Sequence, residues 1–208
     1  LIPQLTLKNN NADNIILTEK FAYLLTSEIK IVIVDLSSGK IIPDECRKKD
    51  LMNRPFCIFK TASGKILIGR SDGLYDVTDG SHKKLDVLSG QTIHSITQAR
   101  SGNLIIGTSQ KIVTLHKGVV ENEVTPIYET KSSTFQLGGE RPIQNLISDD
   151  FGRIWFTAYP NENLYLLENN KVYDVFDLLD IPPSLINCVF KDAEQNIWIG
   201  TYNEGVYY

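Results

Sequence analysis

Histidine, cysteine and clustered positive charge are scarce in this chain, and each shortage closes off a class of function. Its 208 residues carry 21 lysines and arginines against 25 aspartates and glutamates, a formal net charge of −4, with no basic stripe among them. A nucleic-acid binder needs concentrated positive charge to displace phosphate counterions, so no nucleic acid is expected as a partner. Three histidines and three cysteines leave little material for a metal centre or a nucleophile–base pair, and neither a metal, a cofactor nor a catalytic residue is expected. The cysteine count is odd, with no Cys-x-x-Cys pair; Cys57 in "FCIF" and Cys188 in "NCVF" read as small buried hydrophobes, not as a disulfide. No run approaches the ~20 apolar residues of a membrane span, and no signal peptide is visible. The chain starts at Leu1, not Met, and reads as a segment of something longer. Helical periodicity is confined to Asp44–Asn53 and to "VFDLLDIPPS".

Apolar residues, by contrast, make up 42% of the chain, enough to bury a sizeable core. They recur in register. Four segments, "FCIFKTASGKILIGRSDGLYDV", "HSITQARSGNLIIGTSQKIVTL", "QNLISDDFGRIWFTAYPNENLYLL" and "NCVFKDAEQNIWIGTYNEGVYY", align without gaps through two strands. Their turn positions hold Gly64, Gly102, Gly152 and Gln195, spaced 38, 50 and 43 residues apart, within the range of solenoid and propeller units. Five residues on stand Gly69, Gly107, Thr157 and Gly200; seven residues before the turn stand Cys57, Ser95, Asn145 and Cys188, one small-residue slot. A turn glycine supplies the left-handed conformation of a short hairpin loop, and where Gln195 replaces it, Asn196 is expected to carry that turn. An earlier, degenerate copy spans Asn14 to Asp44, with "DLSSGK" as a tight turn.

The second strand of each unit ("ILIG", "LIIG", "IWFT", "IWIG") is apolar on both faces, whereas an antiparallel meander is ordinarily wet on one. Such a strand must lie between two other layers. Meanders of four strands repeated every ~44 residues satisfy this by stacking face to face as blades, which makes the fold class all-β and the architecture a β-propeller. The approximate blades are 11–46, 54–88, 92–128, 142–178 and 185–208, a single propeller segment over 1–208, with 3–8 available as a closing outer strand. Either the ring closes within these five units or they form an arc of a larger one. Trp155 and Trp198 share a strand position with Leu67 and Ile105 and read as blade-to-blade core.

The run "LINCVFKDAEQNIWIGTYNEGVYY" resembles the two-component regulator propeller repeat through Asn187, Val189, Phe190, Asp192, Ile197, Trp198, Ile199, Gly200, Thr201 and Gly205. The copies around Gly152 and Gly64 resemble it less fully, and Thr157 and Gln195 depart from it. The resemblance implies an arc of a seven-bladed ring in the periplasmic sensor region of a bacterial hybrid two-component system. Its parent would be a membrane-anchored histidine kinase, while this segment would itself be non-enzymatic and outside the membrane. It also implies an oligosaccharide ligand and a homodimeric receptor.

A ligand face is expected where the loops leading into the first strand meet those joining the second and third. These loops carry Arg54, Arg70, Asp72, Gln91, His94, Gln110, Arg141, Tyr159, Asn161, Asn163, Tyr202, Asn203 and Glu204. Aromatic rings, amides, arginines and carboxylates together suit hydroxyl-rich ligands, because stacking supplies area and polar groups fix orientation. His82 and His116 read as surface residues of the outer turns. Asp149, Asp150 and Asp192 precede turns and read as Asx-type hydrogen-bond acceptors, not general acids. The alternatives to a ligand sensor are a propeller enzyme of lyase or lactonase type and a protein-interaction scaffold.

Overall fold

The computed structural model describes residues 12–26, 30–44, 53–130, 133–135, 141–158, 163–179 and 185–208. The chain forms two compact units, Leu1–Ile93 and His94–Tyr208. Among the described residues, all regular structure is strand except one five-residue helix, α1 (Val175–Leu179). Each of the five expected repeats is an antiparallel meander in chain order, so the fold is an all-β propeller of five blades.

In the first unit, blade 1 contains β1 (Ala12–Leu17), β2 (Phe21–Thr26), β3 (Lys30–Asp35) and β4 (Ile41–Ile42). Blade 2 contains β5 (Pro55–Lys60), β6 (Ile66–Arg70), β7 (Gly73–Asp76) and β8 (Lys83–Lys84). Phe21, Tyr23, Leu25, Ile31 and Ile33 of blade 1 pack against Ile58, Ile66, Ile68, Tyr75 and Val77 of blade 2. The Tyr23 hydroxyl crosses between them to the carbonyls of Val77 (3.0 Å) and Thr78 (2.9 Å). Every residue of β6 is buried. The "DLSSGK" turn is tight as expected, Asp35 Oδ1 accepting from the Ser37 and Ser38 amides.

In the second unit, blade 3 contains β9 (Ile93–Gln98, its first residue closing the first unit), β10 (Leu104–Thr108), β11 (Ile112–His116) and β12 (Val119–Val124). A hairpin, β13 (Tyr128–Thr130) and β14 (Ser133–Phe135), follows and accounts for the longest repeat spacing. Blade 4 contains β15 (Ile143–Ser148), β16 (Ile154–Ala158), β17 (Asn163–Glu168) and β18 (Lys171–Asp174); blade 5 contains β19 (Ile186–Lys191), β20 (Ile197–Thr201) and β21 (Val206–Tyr207). β16 shows why the second strand is apolar throughout. Ile154, Phe156 and Ala158 face Ile105 and Ile112 of blade 3. Trp155, between them, joins Leu164 and Leu166 against Ile186 and Ile199 of blade 5. The strand is clasped on both sides.

Three of these expectations are corrected here, and two fall wholly or mostly outside the described residues. Gln195 itself takes the left-handed conformation (φ 73°), and Asn196 instead donates from its backbone and its side chain to Asp192. Cys188 is exposed, whereas Cys57 in the same slot turns its thiol against Gly69, where burial pushes it up to about 12. Trp198 is 37% exposed and stacks on Tyr208, so it does not share the burial of Leu67 and Ile105. The outer strand at 3–8 and most of the helix expected at Asp44–Asn53 lie outside the described residues. No helix among the described residues is long and apolar enough to cross a membrane.

Candidate functional site

Backbone bonds bring the loops leading into first strands to the loops between second and third strands, as the repeat implies. In the first unit the Ser71 amide donates to the Arg54 carbonyl (3.0 Å), the Arg54 amide to Ser71 Oγ (3.2 Å), and Thr92 Oγ1 to the Ser71 carbonyl (2.9 Å). In the second, the Arg141 amide donates to the Ser109 carbonyl (2.6 Å) and the Tyr202 amide to the Leu185 carbonyl (3.1 Å). Ser71, Ser109 and Tyr202 all stand two residues after the glycine that closes the second strand.

Within the first unit this end of the blades holds a continuous polar network. Asn53 Nδ2 donates to the Tyr75 hydroxyl (3.1 Å), which donates to Asp72 Oδ2 (2.8 Å); Lys84 Nζ donates to the same oxygen (2.6 Å). Burial pushes the Asp72 carboxyl upward, but the bonds from Lys84 and Tyr75 outweigh it, so its pKa lies below the ordinary carboxylate range. Arg70 was expected at the rim and is not there. It is 0% exposed, its Nη2 lying 2.9 Å from both oxygens of Asp44 and 3.3 Å from His82 Nδ1, its Nη1 donating to the Asn53 carbonyl. A guanidinium so enclosed is a structural ion pair. The His82 side chain, expected on the surface, is only 4% exposed. Arg54 is exposed and Gln91 half-buried beside this network in sequence.

Within the second unit His94 Nε2 lies 3.0 Å from Ser109 Oγ, and both residues are half-buried. Gln110 is exposed next to them, Arg141 half-buried. Asn163 donates to Asp174 (3.1 Å), fixing the start of β17. Tyr202, Asn203 and Glu204 form an exposed loop. Tyr159 and Asn161 lie outside the described residues. Asn53, Ser71, Tyr75, Lys84 and Ser109 were not anticipated. For the two serines the signal was available in their constant distance from the strand-closing glycine.

At the opposite end of the strands the turn aspartates are fully engaged. Asp149 accepts from the amides of Phe151 (3.0 Å) and Arg153 (2.9 Å), from Arg153 Nε (2.6 Å) and from Trp155 Nε1 (3.0 Å). Asp192 repeats this with the amides of Glu194 and Asn196 (2.9 and 2.8 Å), Asn196 Nδ2 (2.9 Å) and Trp198 Nε1 (2.7 Å). Four bonds to each carboxylate leave it no capacity to abstract a proton. Asp150 instead pairs with Arg100 (3.2 Å). Among the described residues no group of three or more His, Cys, Asp or Glu could hold a metal ion.

The two component regulator propeller family matches residues 180–203, which include the first two strands of blade 5. No curated protein matches the chain. Among solved structures, the extracellular domain of a putative one component system from B. thetaiotaomicron is 18% identical, with a TM-score of 0.68 over 98% of this chain and 28% of that one. A structure of the extracellular domain of the same protein, described as a putative hybrid two component system, gives 19% identity and a TM-score of 0.64 over 92% of this chain and 26% of that one. Virginiamycin B lyase from Staphylococcus aureus is 14% identical, with a TM-score of 0.63 over 95% of this chain and 65% of the lyase. The chain therefore spans about a quarter of the length of those extracellular domains and shares their fold. Its fifth blade carries a two component regulator propeller repeat.

Proposed function

We propose that this chain is part of the extracytoplasmic sensor region of a bacterial hybrid two-component system, in the periplasm. There it binds a glycan fragment at the loop end of its blades and biases a histidine kinase carried elsewhere on the parent. The observation that carries this reading is the regulator-propeller match at 180–203. The loop end supports it chemically. Tyr202, Asn203 and Glu204 form an exposed loop with one aromatic face and polar flanks, and Arg54 and Gln110 are exposed on the corresponding loops of their own blades. The carboxylates and indoles at the other end are consumed by the turns. Such a sensor would act as a homodimer, since paired receptors let binding at one end change kinase geometry at the other.

Calorimetry of the parent's whole sensor region against neutral, acidic and amino-sugar oligosaccharides tests the reading. One class should bind, and Tyr202→Ala should weaken it by ~10-fold, about 1.4 kcal/mol. Titration to saturation with no heat from any class would overturn the ligand assignment.

A second reading rests on the His94–Ser109 hydrogen bond, which has the geometry of a base beside a nucleophile. Under it the segment is an enzyme and Ser109 labels with a fluorophosphonate, lost in His94→Ala. No labelling at Ser109 removes it.

A further inference from the structure

The outer flank of blade 4 holds a cavity that neither the loop end nor the turn aspartates touch. It measures about 280 Å³ and is lined by Thr125 and Ile127 on one side and by Asn170, Lys171, Val172 and Tyr173 on the other, all within the second unit. Local chemistry sets both walls. Pro126, buried, stands between Thr125 and Ile127; its ring fixes its own φ and holds Thr125 extended. Opposite, Asn169 (φ 49°) and Asn170 (φ 61°) are both left-handed, as in a two-residue hairpin turn, which closes on a hydrogen-bonded pair, here Glu168 and Lys171. The next pair, Leu167 and Val172, is then a non-hydrogen-bonded one, so the N–H and C=O of Val172 turn away from β17. β18 is the last strand of its sheet, and no described strand pairs with that edge. A backbone donor and acceptor therefore open on the cavity. Its side chains are equally uncommitted: Thr125, Asn170, Lys171 and Tyr173 make no side-chain hydrogen bond or ion pair among the described residues. The outer flanks of the other blades differ. In blade 3 Lys111 is spent on Glu123 (2.6 Å) and Asn103 on Glu121 (2.8 Å). In blades 1 and 2 the outer turns are tied by Ser37 donating to Asp35 and Ser81 to Asp79 (both 2.6 Å).

We propose that this cavity is a binding site for a small ring carboxylate, a compound of the size of a hydroxylated aromatic acid. At ~30 Å³ for each liquid water the space is that of about nine waters, room for one ring and its substituents. Ile127, Val172 and the Tyr173 ring give that ring an apolar bed with an aromatic face to pack on. Lys171 and Tyr173 stand two residues apart on β18, ~7 Å along the strand, about the distance from a carboxylate to a hydroxyl across a six-membered ring. The Lys171 ammonium needs a carboxylate: Glu168 faces it in register, forms no ion pair with it and does not line the cavity. A ligand carboxylate supplies that charge, and its oxygens also suit the Val172 N–H and the Thr125 and Asn170 side chains. The apolar bed selects against a sugar acid, whose hydroxyls would lose water against Ile127 and Val172. A peptide does not fit, because β13 runs beside β18 without bonding to it and takes the room that a fifth strand would need.

NMR titration of the isotope-labelled protein with 4-hydroxybenzoate, its neutral analogue 4-hydroxybenzyl alcohol and glucuronate tests the site, and the dispersed spectrum shows that each variant is folded. 4-Hydroxybenzoate should shift the amide signals of Asn170, Lys171, Val172 and Tyr173 and saturate with a Kd on the order of 1 mM or tighter. The alcohol and glucuronate should each bind more weakly by ~10-fold or more. Lys171→Met should weaken 4-hydroxybenzoate by ~10-fold while Lys171→Arg retains it, and Ile127→Trp, which fills the cavity from a half-exposed wall, should abolish it. Tyr202→Ala, at the loop end, should leave it unchanged. No saturable shift at ~20 mM, far above that Kd, would overturn the site. So would undiminished binding in Lys171→Met or Ile127→Trp, or shifts that centre on the loop end and vanish in Tyr202→Ala. Tighter binding of glucuronate than of 4-hydroxybenzoate would overturn the ligand class.

Discussion

A pair of residues six apart, aspartate then tryptophan, shows how one side chain answers another in these repeats. Where the turn holds Asp149 or Asp192, the strand beyond it holds Trp155 or Trp198, and the indole N–H donates back to the carboxylate. Where the turn holds Thr61 or Ala99, the strand holds Leu67 or Ile105, which have no donor to place. Thr61 Oγ1 still accepts the Lys65 amide (3.0 Å), so the turn survives without the ring. A half-buried indole needs an acceptor, and the turn carboxylate is the one in reach. Burial pushes Asp149 upward, but the bonds from Trp155 and Arg153 win and hold its carboxyl below the ordinary range. A folded pKa below the unfolded value of ~3.9 adds stability above that pH, which is lost as pH falls through the folded value. Asp149→Asn should therefore be destabilised by about 1–3 kcal/mol at neutral pH. In urea titrations the gap to wild type should narrow steadily below pH ~4; a gap indifferent to pH would show that the charge contributes nothing. The aspartates were legible in the sequence as turn acceptors because they recur before the turn. Their bond to tryptophan was not, since it closes only when the hairpin brings residues six apart together. Gln195 was misread for a related reason. The bonds from Gln195 N to the Asp192 carbonyl and from Asp192 N to the Asn196 carbonyl fix which loop position must be left-handed, whatever residue holds it.

Among the elements, what matters is how closely one blade's first strand approaches its neighbour's second. The repeat register exposed the slot, glycine opposite a small residue, but its purpose is visible only with the next blade in place. Blade 4 is the exception that explains the rule. Thr157 replaces the glycine there, Asn145 bulges with positive φ (49°), and its Nδ2 donates to Thr157 Oγ1 (3.1 Å). The strand yields where the side chain will not. From this, Gly107→Ala should be costly, because the new methyl meets the Ile143 carbonyl, a backbone atom that cannot rotate aside; overpacking of this kind costs about 1–3 kcal/mol. Gly200→Ala in the 208-residue chain should cost under about 0.5 kcal/mol, since the atom it meets is the rotatable Cys188 thiol. Denaturation midpoints of the two variants decide this, and equal losses would mean that strand propensity, not inter-blade approach, selects glycine. Arg70 illustrates the limit of local reading. "GRSDG" looks like a rim loop, yet Asp44, 26 residues earlier, draws the guanidinium inside.

For the molecule as a whole, position in the array outweighs residue type. The blade architecture was legible because strands apolar on both faces admit few packings; which face would be open was not, because every copy of the repeat carries the same pattern whether or not a neighbour covers it. Leu74 and Val206 make the point quantitative. They hold one repeat position, in the third strand opposite the glycine near the end of the second, yet one is 0% exposed and the other 64%. Leu74→Ser should destabilise by about 2–5 kcal/mol, through a cavity and a buried hydroxyl. Val206→Ser should change the stability of the 208-residue chain by less than about 0.5 kcal/mol, since water already surrounds the side chain. Chemical denaturation of both variants measures the difference, and equal losses would show that residue type, not exposure, sets the cost.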